Sequence, residues 1–596
     1  MPEIDNDLRH QANLIIGERR LPFASLATNI QEELDFDRAE LTNYLNERIQ
    51  GPRALTESQR IPFDEVMSAV RNGNAGAFFI DAPGGTGKSY VLNSILAAVR
   101  LMSEDSIALA VAASGIAATL LLLGRTFHSR FKAPLDLDET SSLNIPLQSD
   151  LAELIRRAKL IVWDEAPMNH RFLLEALDRS LRKITGIDLP FGGKPILLAG
   201  DFRQILPVVK KGSRAQTVDA VINRSLLWKQ FRCFQLTENM RVLQHGSSEQ
   251  LNQFIQWLLL LGEGKINPVE NGSEFGLLKP ENCIVINPEN IESLKTSMKN
   301  LIAFVYPELQ QNVANRRWLA GRAILAPLNI AVDEINEICL DLIHGHMIEC
   351  FSADSTIEPD ESTRFPTEHL NSLNLNGIPP HRLVMKIGAP LMLLRNINPK
   401  EGLCNGTRLI LQSVNRQLLN CKIVGGHSDG ENVLLPRITF TPNDNNDFPV
   451  DWKRRQYPVR TSFAMTIHKS QGQSLERVGV WLEEPVFSHG QLYVASSRVG
   501  NPENIQYAIS PRHNYSTNAT RNVVYRNVVY VSKCCICQQR YECVLCLKLA
   551  TLMLNSIFFI IQARPFQDQK ILHQPIYQTL DHQVCGVDSI CQISLP

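Results

Sequence analysis

The sequence predicts an α/β protein built on parallel sheets, and three observations carry that prediction. Apolar runs of strand length (Ala77–Ile80, Ile107–Ala112, Leu160–Trp163, Ile196–Ala199) alternate with longer amphipathic stretches. Three of these runs end in an acidic or glycine-rich turn, and in parallel sheets ligands sit at such carboxyl ends. A second region of the same texture begins near Leu236, with the run AILAPLN (Ala323–Asn329) followed by the helical stretch Val332–Ile343.

The size of the chain, 596 residues, leaves room for several domains. Hydrophobic residues make up 44% and charged residues 20%, which excludes a wholly disordered chain. The formal net charge is −1, so a polyanionic partner would have to be met by a local basic groove and not by a global field. The opening MPEIDNDLRHQ carries no apolar signal core, which points away from secretion. Six cysteines are scattered singly through the body and the other seven lie at or beyond Cys534, a pattern that suits a reducing, intracellular setting. The apolar stretch Leu549–Ala563 is shorter than the ~20 residues of a membrane span and is broken by polar residues, so a soluble protein is expected.

Taken in order, residues 1–54 read as a polar helical segment with apolar spacing at Ile30, Leu34, Leu41 and Leu45. Residues 55–235 form the first α/β unit, and 236–380 begin the second, with 350–380 loop-like from its Ser, Asp, Asn and Pro content. Residues 381–457 read as short strands with turns, a small β module inserted before the α/β texture returns over 458–530. Residues 531–596 are rich in cysteine and apolar residues. Their CxxC-x5-CxxC (Cys534, Cys537, Cys543, Cys546) is either a tight zinc knuckle or part of an unselected extension.

The strongest chemical signal is APGGTGKS (Ala82–Ser89), between a strand and an amphipathic helix. Gly84, Gly85, Thr86 and Gly87 form a loop whose backbone N–H groups can face phosphates at a helix N-terminus. Lys88 can reach the β- and γ-phosphates of a nucleotide, and the Ser89 hydroxyl can ligate Mg²⁺. Ala82 stands where the first glycine of such a loop is usual, and a left-handed backbone there would be strained. LIVWDE ends a strand in Asp164, suited to hold Mg²⁺, and Glu165, suited to polarise an attacking water. LLAGDFRQILPV places Gln204 after a third strand end, where an amide can sense a γ-phosphate.

With further segments in series, the chain resembles the superfamily-one DNA helicases of the PIF (petite integration frequency) type, including the form carried by Helitron transposons. The matching segments run from about Leu55 to Tyr530. They are LTESQ, APGGTGKS, ASGIAATLL, GRTFHS, WDEAPM, GGKPILLAGDFRQILPV, LTENMR, RAILAPLN, LVMKIGAP, GLCNGTR, TIHKSQGQS and GQLYVASSR. The resemblance implies two RecA-like P-loop lobes with parallel sheets, an SH3-like β module inserted in the second lobe, and ATP with Mg²⁺ in the cleft between the lobes. It implies that Gln59 reads the adenine, that Lys88, Ser89, Asp164 and Glu165 serve the phosphates, metal and water, and that Gln204 couples the γ-phosphate to lobe movement. Arg241 and Arg498 would reach the γ-phosphate from the second lobe. Thr126, His128 and Ser129, with His468, Lys469 and Ser470, would contact DNA. The implied activity is ATP-driven 5′–3′ translocation on single-stranded DNA and unwinding of forked DNA by a monomeric motor, with nuclear roles in telomere maintenance, repair and recombination. The alternative is a degenerate transposon-derived remnant that binds nucleotide or DNA without unwinding. ASSR departs from the family pattern, where a residue bulkier than Ser496 is usual. The basic string Lys453–Arg460 suits a phosphate-tracking groove or, equally, a solvated loop. A nuclease with a His–hydrophobic–His signature is not expected, because the one His-x-His, at His344 and His346, encloses a glycine.

Overall fold

The computed structural model describes residues 26–529 except 135, 241–248, 267–274, 278–281, 288–289, 359–363, 376, 416, 427, 443–450 and 511–518. Two helices, α1 (Leu26–Leu34) and α2 (Arg38–Ile49), precede α3 (Glu57–Arg71). The last is opened by a capping box in which Thr56 and Gln59 satisfy each other's end of the helix. Among the described residues no helix is long and apolar enough to cross a membrane.

The first lobe is a six-stranded, all-parallel sheet: β1 (Ala77–Asp81), β2 (Ile107–Ala112), β3 (Arg125–Thr126), β4 (Ala158–Asp164), β5 (Ile196–Gly200) and β6 (Phe231–Gln235). The spatial order is β3-β2-β4-β5-β1-β6. The four apolar runs of the sequence are β1, β2, β4 and β5. They read as unbroken apolar runs because both faces are covered: Phe79, Leu109, Ile161 and Leu198 enter one core, and Phe78, Ile80, Ala108 and Leu197 enter the other. β3 and β6 escape a sequence reading because one is two residues long and the other, FRCFQ, alternates with polar residues. Helix α4 (Lys88–Leu101) follows β1, and the short α5 (Phe127–Phe131) follows β3 directly.

A second all-parallel sheet is assembled from distant stretches: β7 (Cys283–Val285), β8 (Arg322–Ala326), β9 (Ala464–Thr466), β10 (Arg477–Leu482) and β11 (Ile505–Ile509), in the order β9-β8-β10-β11-β7. It too is sandwiched, with Ala323 and Leu325 in one core and Ile324 and Ala326 in the other. Helix α6 (Gln491–Ser496) lies between β10 and β11 in the chain.

Between β8 and β9 the chain makes antiparallel sheets. The larger has five strands, Asn432–Pro436, Leu418–Val424, Arg408–Asn415, Pro390–Leu393 and Val459–Thr461 in that spatial order. The stretch 350–380, loop-like by composition, is more ordered than that. Strand Ile348–Phe351 pairs with Arg382–Met385, Ala353–Thr356 pairs with Trp452–Gln456, and Thr367–Ser372 is helical. The reason is a partner far along the chain. Arg454 is fully buried, forks onto Asp354 and donates to the carbonyls of Leu370 and Pro379. The basic string is therefore a strand with alternating burial, not a solvated loop, and its central arginine is spent inside the module.

Candidate active site

The phosphate loop is shaped by glycine where shape demands it. Gly85 and Gly87 have φ of 88° and 81°, in the left-handed region. A Cβ on Gly87 would also lie 2.6 Å from the amide nitrogen of Gln59. Ala82 is not among the left-handed residues; its N–H continues the sheet by donating to Gly200 at 3.0 Å. The substitution of alanine for the usual glycine therefore carries no backbone strain.

Lys88 opens α4 and projects onto the end of β4. Its Nζ lies 2.7 Å from Asp164 and 2.5 Å from Glu165. Burial works against the ammonium, but the two carboxylates outweigh it and hold the Lys88 pKa above the ordinary lysine value. Burial also raises the Glu165 carboxyl; Lys88 opposes the rise and Asp164 adds to it. Glu165 itself is left-handed, at φ 51° and ψ 35°, with its N–H taken by Asp164 Oδ1 at 2.8 Å. A non-glycine residue in that region is strained, and such strain concentrates at functional sites.

One cleft collects these groups. It is lined by Gly84, Gly85, Gly87, Lys88, Ser89, Asp164, Glu165 and Gln204 from the first lobe and by Gly472, Gln473, Ser474, Ser497 and Arg498 from the second. Gln204 is buried, and its Oε1 has no hydrogen-bond partner among the described residues. Arg498 is nearly buried, and donates to the carbonyls of Val494, Ser470 and Gln473 and to the Ser497 hydroxyl. Ser89 and Asp164 offer hard oxygen donors on the same wall, a donor set that fits Mg²⁺. Gln59 sits behind the loop: its amide donates to Thr86 O at 3.0 Å and accepts from Thr56 N–H at 3.2 Å. Thr86 is buried with its hydroxyl bonded to Pro83 O. Arg241 lies outside the described residues.

Sequence reasoning passed over the contacts that join the lobes. Asp201, buried at the end of β5, accepts from Arg203 Nε at 2.6 Å and from the Tyr493 hydroxyl of α6 at 2.8 Å. Arg203 also reaches Asp81 at 2.9 Å. Burial opposes the Arg203 charge, but Asp201 and Asp81 more than restore it. Gly490, with φ 73°, lets the start of α6 press on this loop; a Cβ there would lie 2.5 Å from Arg203 O. Tyr493 lies within GQLYVASSR and Asp201 within GGKPILLAGDFRQILPV, so both segments were visible but their pairing was not. Ser496 in the same segment is fully buried, and its hydroxyl accepts from that of Tyr507 on β11 at 2.9 Å.

A second cleft lies beside the first. Thr126, His128, Met168 and the turn Ala113–Ile116 form one side, and His468, Lys469 and Gln471 another. Asn396, Asn405 and Gly406 come from the β module; the last two lie in GLCNGTR, whose place at this cleft no local pattern announces. Burial lowers the pKa of both His128 and His468, and lowers Lys469 to about 8, with Arg460 adding to the effect. Ser129 is exposed on α5, and Ser470 is fully buried with its hydroxyl on Ile467 O. The Ser470 carbonyl, which accepts from Arg498, ties the His468–Lys469 segment to the first cleft. The paired CxxC tail lies outside the described residues. Among the described residues no group of acidic, histidine and cysteine side chains is arranged to hold a metal ion by itself.

The comparisons with known proteins agree with this architecture. Family models match for PIF1-like helicase over residues 54–272, for the DNA helicase Pif1 2B domain over 368–413, and for a helicase over 446–529. The chain is 26% identical over 515 residues to the ATP-dependent DNA helicase PIF7 of Trypanosoma brucei brucei, covering 80% of this chain and 48% of that protein. It is 25% identical over 468 residues to the ATP-dependent DNA helicase Pif1 of Campylobacter jejuni, covering 76% of this chain and 92% of that protein. A solved structure of Bacteroides Pif1 with ADP-AlF3 and ssDNA shares the fold at a TM-score of 0.56 and 20% identity, covering 80% of this chain and 97% of that one. Residues 54–272 are similar to PIF1-like helicases, and the relatives extend that similarity over 76–80% of the chain. It spans about half the length of the trypanosome relative and nearly all of the Campylobacter one.

Proposed function

We propose that this chain is an ATP-dependent DNA helicase that couples ATP hydrolysis to movement on single-stranded DNA and to unwinding of forked DNA. The observation that carries the reading is the single cleft in which Lys88, Asp164 and Glu165 of one lobe face Arg498 of the other. The intact set argues against a catalytically degenerate remnant. The division into lobes at 55–235, 236–380 and 458–530, with a module at 381–457, belongs to the same proposal.

The triphosphate of ATP takes the N–H groups of Gly84–Gly87 and the Lys88 ammonium as partners, which Lys88 exchanges for its present carboxylates. Ser89 and Asp164 would hold Mg²⁺, which when bound neutralises charge on the β- and γ-phosphate oxygens. Glu165, its pKa raised, orients the attacking water and takes its proton. Arg498 stabilises the charge that develops on the γ-phosphoryl group. Gln204 and the Asp201–Tyr493 contact carry the change in phosphate state to α6. Thr126, His128, His468 and Lys469 contact the DNA strand in the second cleft, and Arg498 links it to the first through Ser470. The proposal includes a monomeric motor acting in the nucleus.

The test is ATP hydrolysis with and without single-stranded DNA, for the native chain and Lys88→Ala, followed by unwinding of 5′- and 3′-tailed duplexes. DNA-stimulated hydrolysis lost in Lys88→Ala, with unwinding of the 5′-tailed substrate, is expected. Folded protein with no stimulated hydrolysis would overturn the reading.

A further inference from the structure

The DNA-facing segment of the first lobe is held from behind by a helix that carries none of the family's segments. Thr126 and His128 line the second cleft, while Phe127 and Phe131 are fully buried and Phe127 stacks on Trp163 with ring centroids 4.1 Å apart. The arginines flanking this stretch turn the other way, onto α1. Arg125 pairs with Glu32 at 2.8 Å. Arg130 pairs with Glu33, and both side chains are 2% exposed. The same Glu33 carboxylate lies 3.8 Å from Arg100, near the C-terminal end of the nucleotide helix α4.

The placement matters because the backbone alone holds this stretch weakly. β3 is two residues long, sits at the edge of the sheet and pairs only with the end of β2. A short edge strand with few ladder bonds opens easily unless something else fixes it. Glu33 is also the carboxylate that stands between two buried arginines. Burial draws the pKa of Arg100 down to about 10 and lowers that of Arg130, and Glu33 opposes the shift in both. Removing it leaves two cations near one another in a dry interior, which the arginines can relieve only by moving, and Arg130 moves with α5. Arg100 has further anchors, donating to the carbonyls of Leu122 and Ala108. Among the described residues, the Arg130 guanidinium donates to Glu33, and its Nε has no hydrogen-bond partner.

We propose that Glu33 is a positioning residue for nucleic-acid binding: its buried ion pair with Arg130, backed by Glu32 on Arg125, holds Thr126 and His128 at the cleft. The DNA part of this inference rests on the proposed function; the pinning of residues 125–131 does not. The experiment therefore has two arms on the full chain, comparing the native protein with Glu33→Gln and with Glu33→Gln/Arg130→Met. In the first arm, amide hydrogen exchange over 125–131 rises about tenfold or more in Glu33→Gln while β4 and β5 stay protected. In the second, the concentration of single-stranded oligonucleotide giving half-maximal stimulation of ATP hydrolysis rises about tenfold, while DNA-free hydrolysis and the KM for ATP hold. In the double variant the second cation is gone and Arg100 keeps its carbonyl anchors, so global thermal stability returns toward native but weak DNA half-saturation persists.

Unchanged exchange at 125–131 in Glu33→Gln overturns the pinning. Raised exchange with unchanged half-saturation, or half-saturation that recovers with stability in the double variant, leaves α1 a purely structural element and overturns the positioning role. A native chain that binds no DNA removes the proposed function and the positioning role with it, while the exchange arm still decides the pinning.

Discussion

Each cleft presents one lysine, and the two ammoniums are shifted in opposite directions. Lys88 lies between two carboxylates that keep it charged despite burial, whereas Lys469 is buried without such compensation and is drawn down to about 8. A fixed charge suits a site that must stabilise a transition state, because the groups are oriented before the reaction begins. A marginal charge suits a strand-tracking surface, where each contact must form and release as the strand moves. The two clefts are joined by Arg498, whose guanidinium binds the Ser470 carbonyl one residue after Lys469.

This contrast can be broken at its strong end first. Lys88→Ala should lower DNA-stimulated hydrolysis by on the order of 10²–10³-fold or more, with single-stranded DNA binding in the absence of nucleotide almost unchanged. Filter binding and steady-state hydrolysis measured on the same preparation check it; a parallel loss of both would mean the two clefts are not separable. Glu165→Gln should slow hydrolysis by about 10²–10⁴-fold while nucleotide binding persists, since the amide keeps the shape and loses the base. Loss of nucleotide binding by calorimetry would instead assign Glu165 to charge balance around Lys88.

Tyr493→Phe removes one hydroxyl from Asp201 and leaves the ring packed. A hydrogen bond to a charged group is worth about 1.5–3 kcal/mol, so stimulation by DNA should fall by about tenfold or more while DNA-free hydrolysis changes little. Equal loss of stimulated and unstimulated rates would make the tyrosine part of the nucleotide site and not a link between lobes.

The smallest effect belongs to Lys469. Its ammonium loses its proton as pH rises through about 8, so DNA affinity should fall between pH 7 and 9, with the dependence flattened in Lys469→Ala. The variant should also reduce the slope of log affinity against log salt by about 0.7, the value of one phosphate contact on a single strand. An unchanged pH profile would place Lys469 off the path of the strand.

Much of the nucleotide cleft was legible from the chain. A P-loop is local: its glycines, lysine and serine are consecutive, and the strand and helix on either side are readable from apolar periodicity. Asp164 and Glu165 follow an unbroken apolar run, which already implied a strand end inside a covered sheet. The second cleft was half legible. His128 and His468 were picked out from their segments and Asn405 lies in the quoted GLCNGTR, but that the β module reaches this cleft, with Asn396, follows from no periodicity. Gln59 shows the converse. Its residue type and position were legible, yet its amide is spent on Thr86 and Thr56 behind the loop.

The apolar strands of the first sheet, the phosphate loop and the carboxylate pair were readable along the chain because each is encoded by neighbouring residues, whereas the second sheet joins distant stretches. The tertiary structure alone decided which arginines are structural and which face a cleft. Arg454 and Arg203 are buried on aspartates, one inside the β module and one beneath the nucleotide cleft, while Arg498 lines that cleft with its guanidinium braced by carbonyls. Nothing in the local pattern of an arginine separates these fates. A buried guanidinium is stable only where carboxylates or carbonyls converge on it from several elements, and that convergence exists only once the chain has folded.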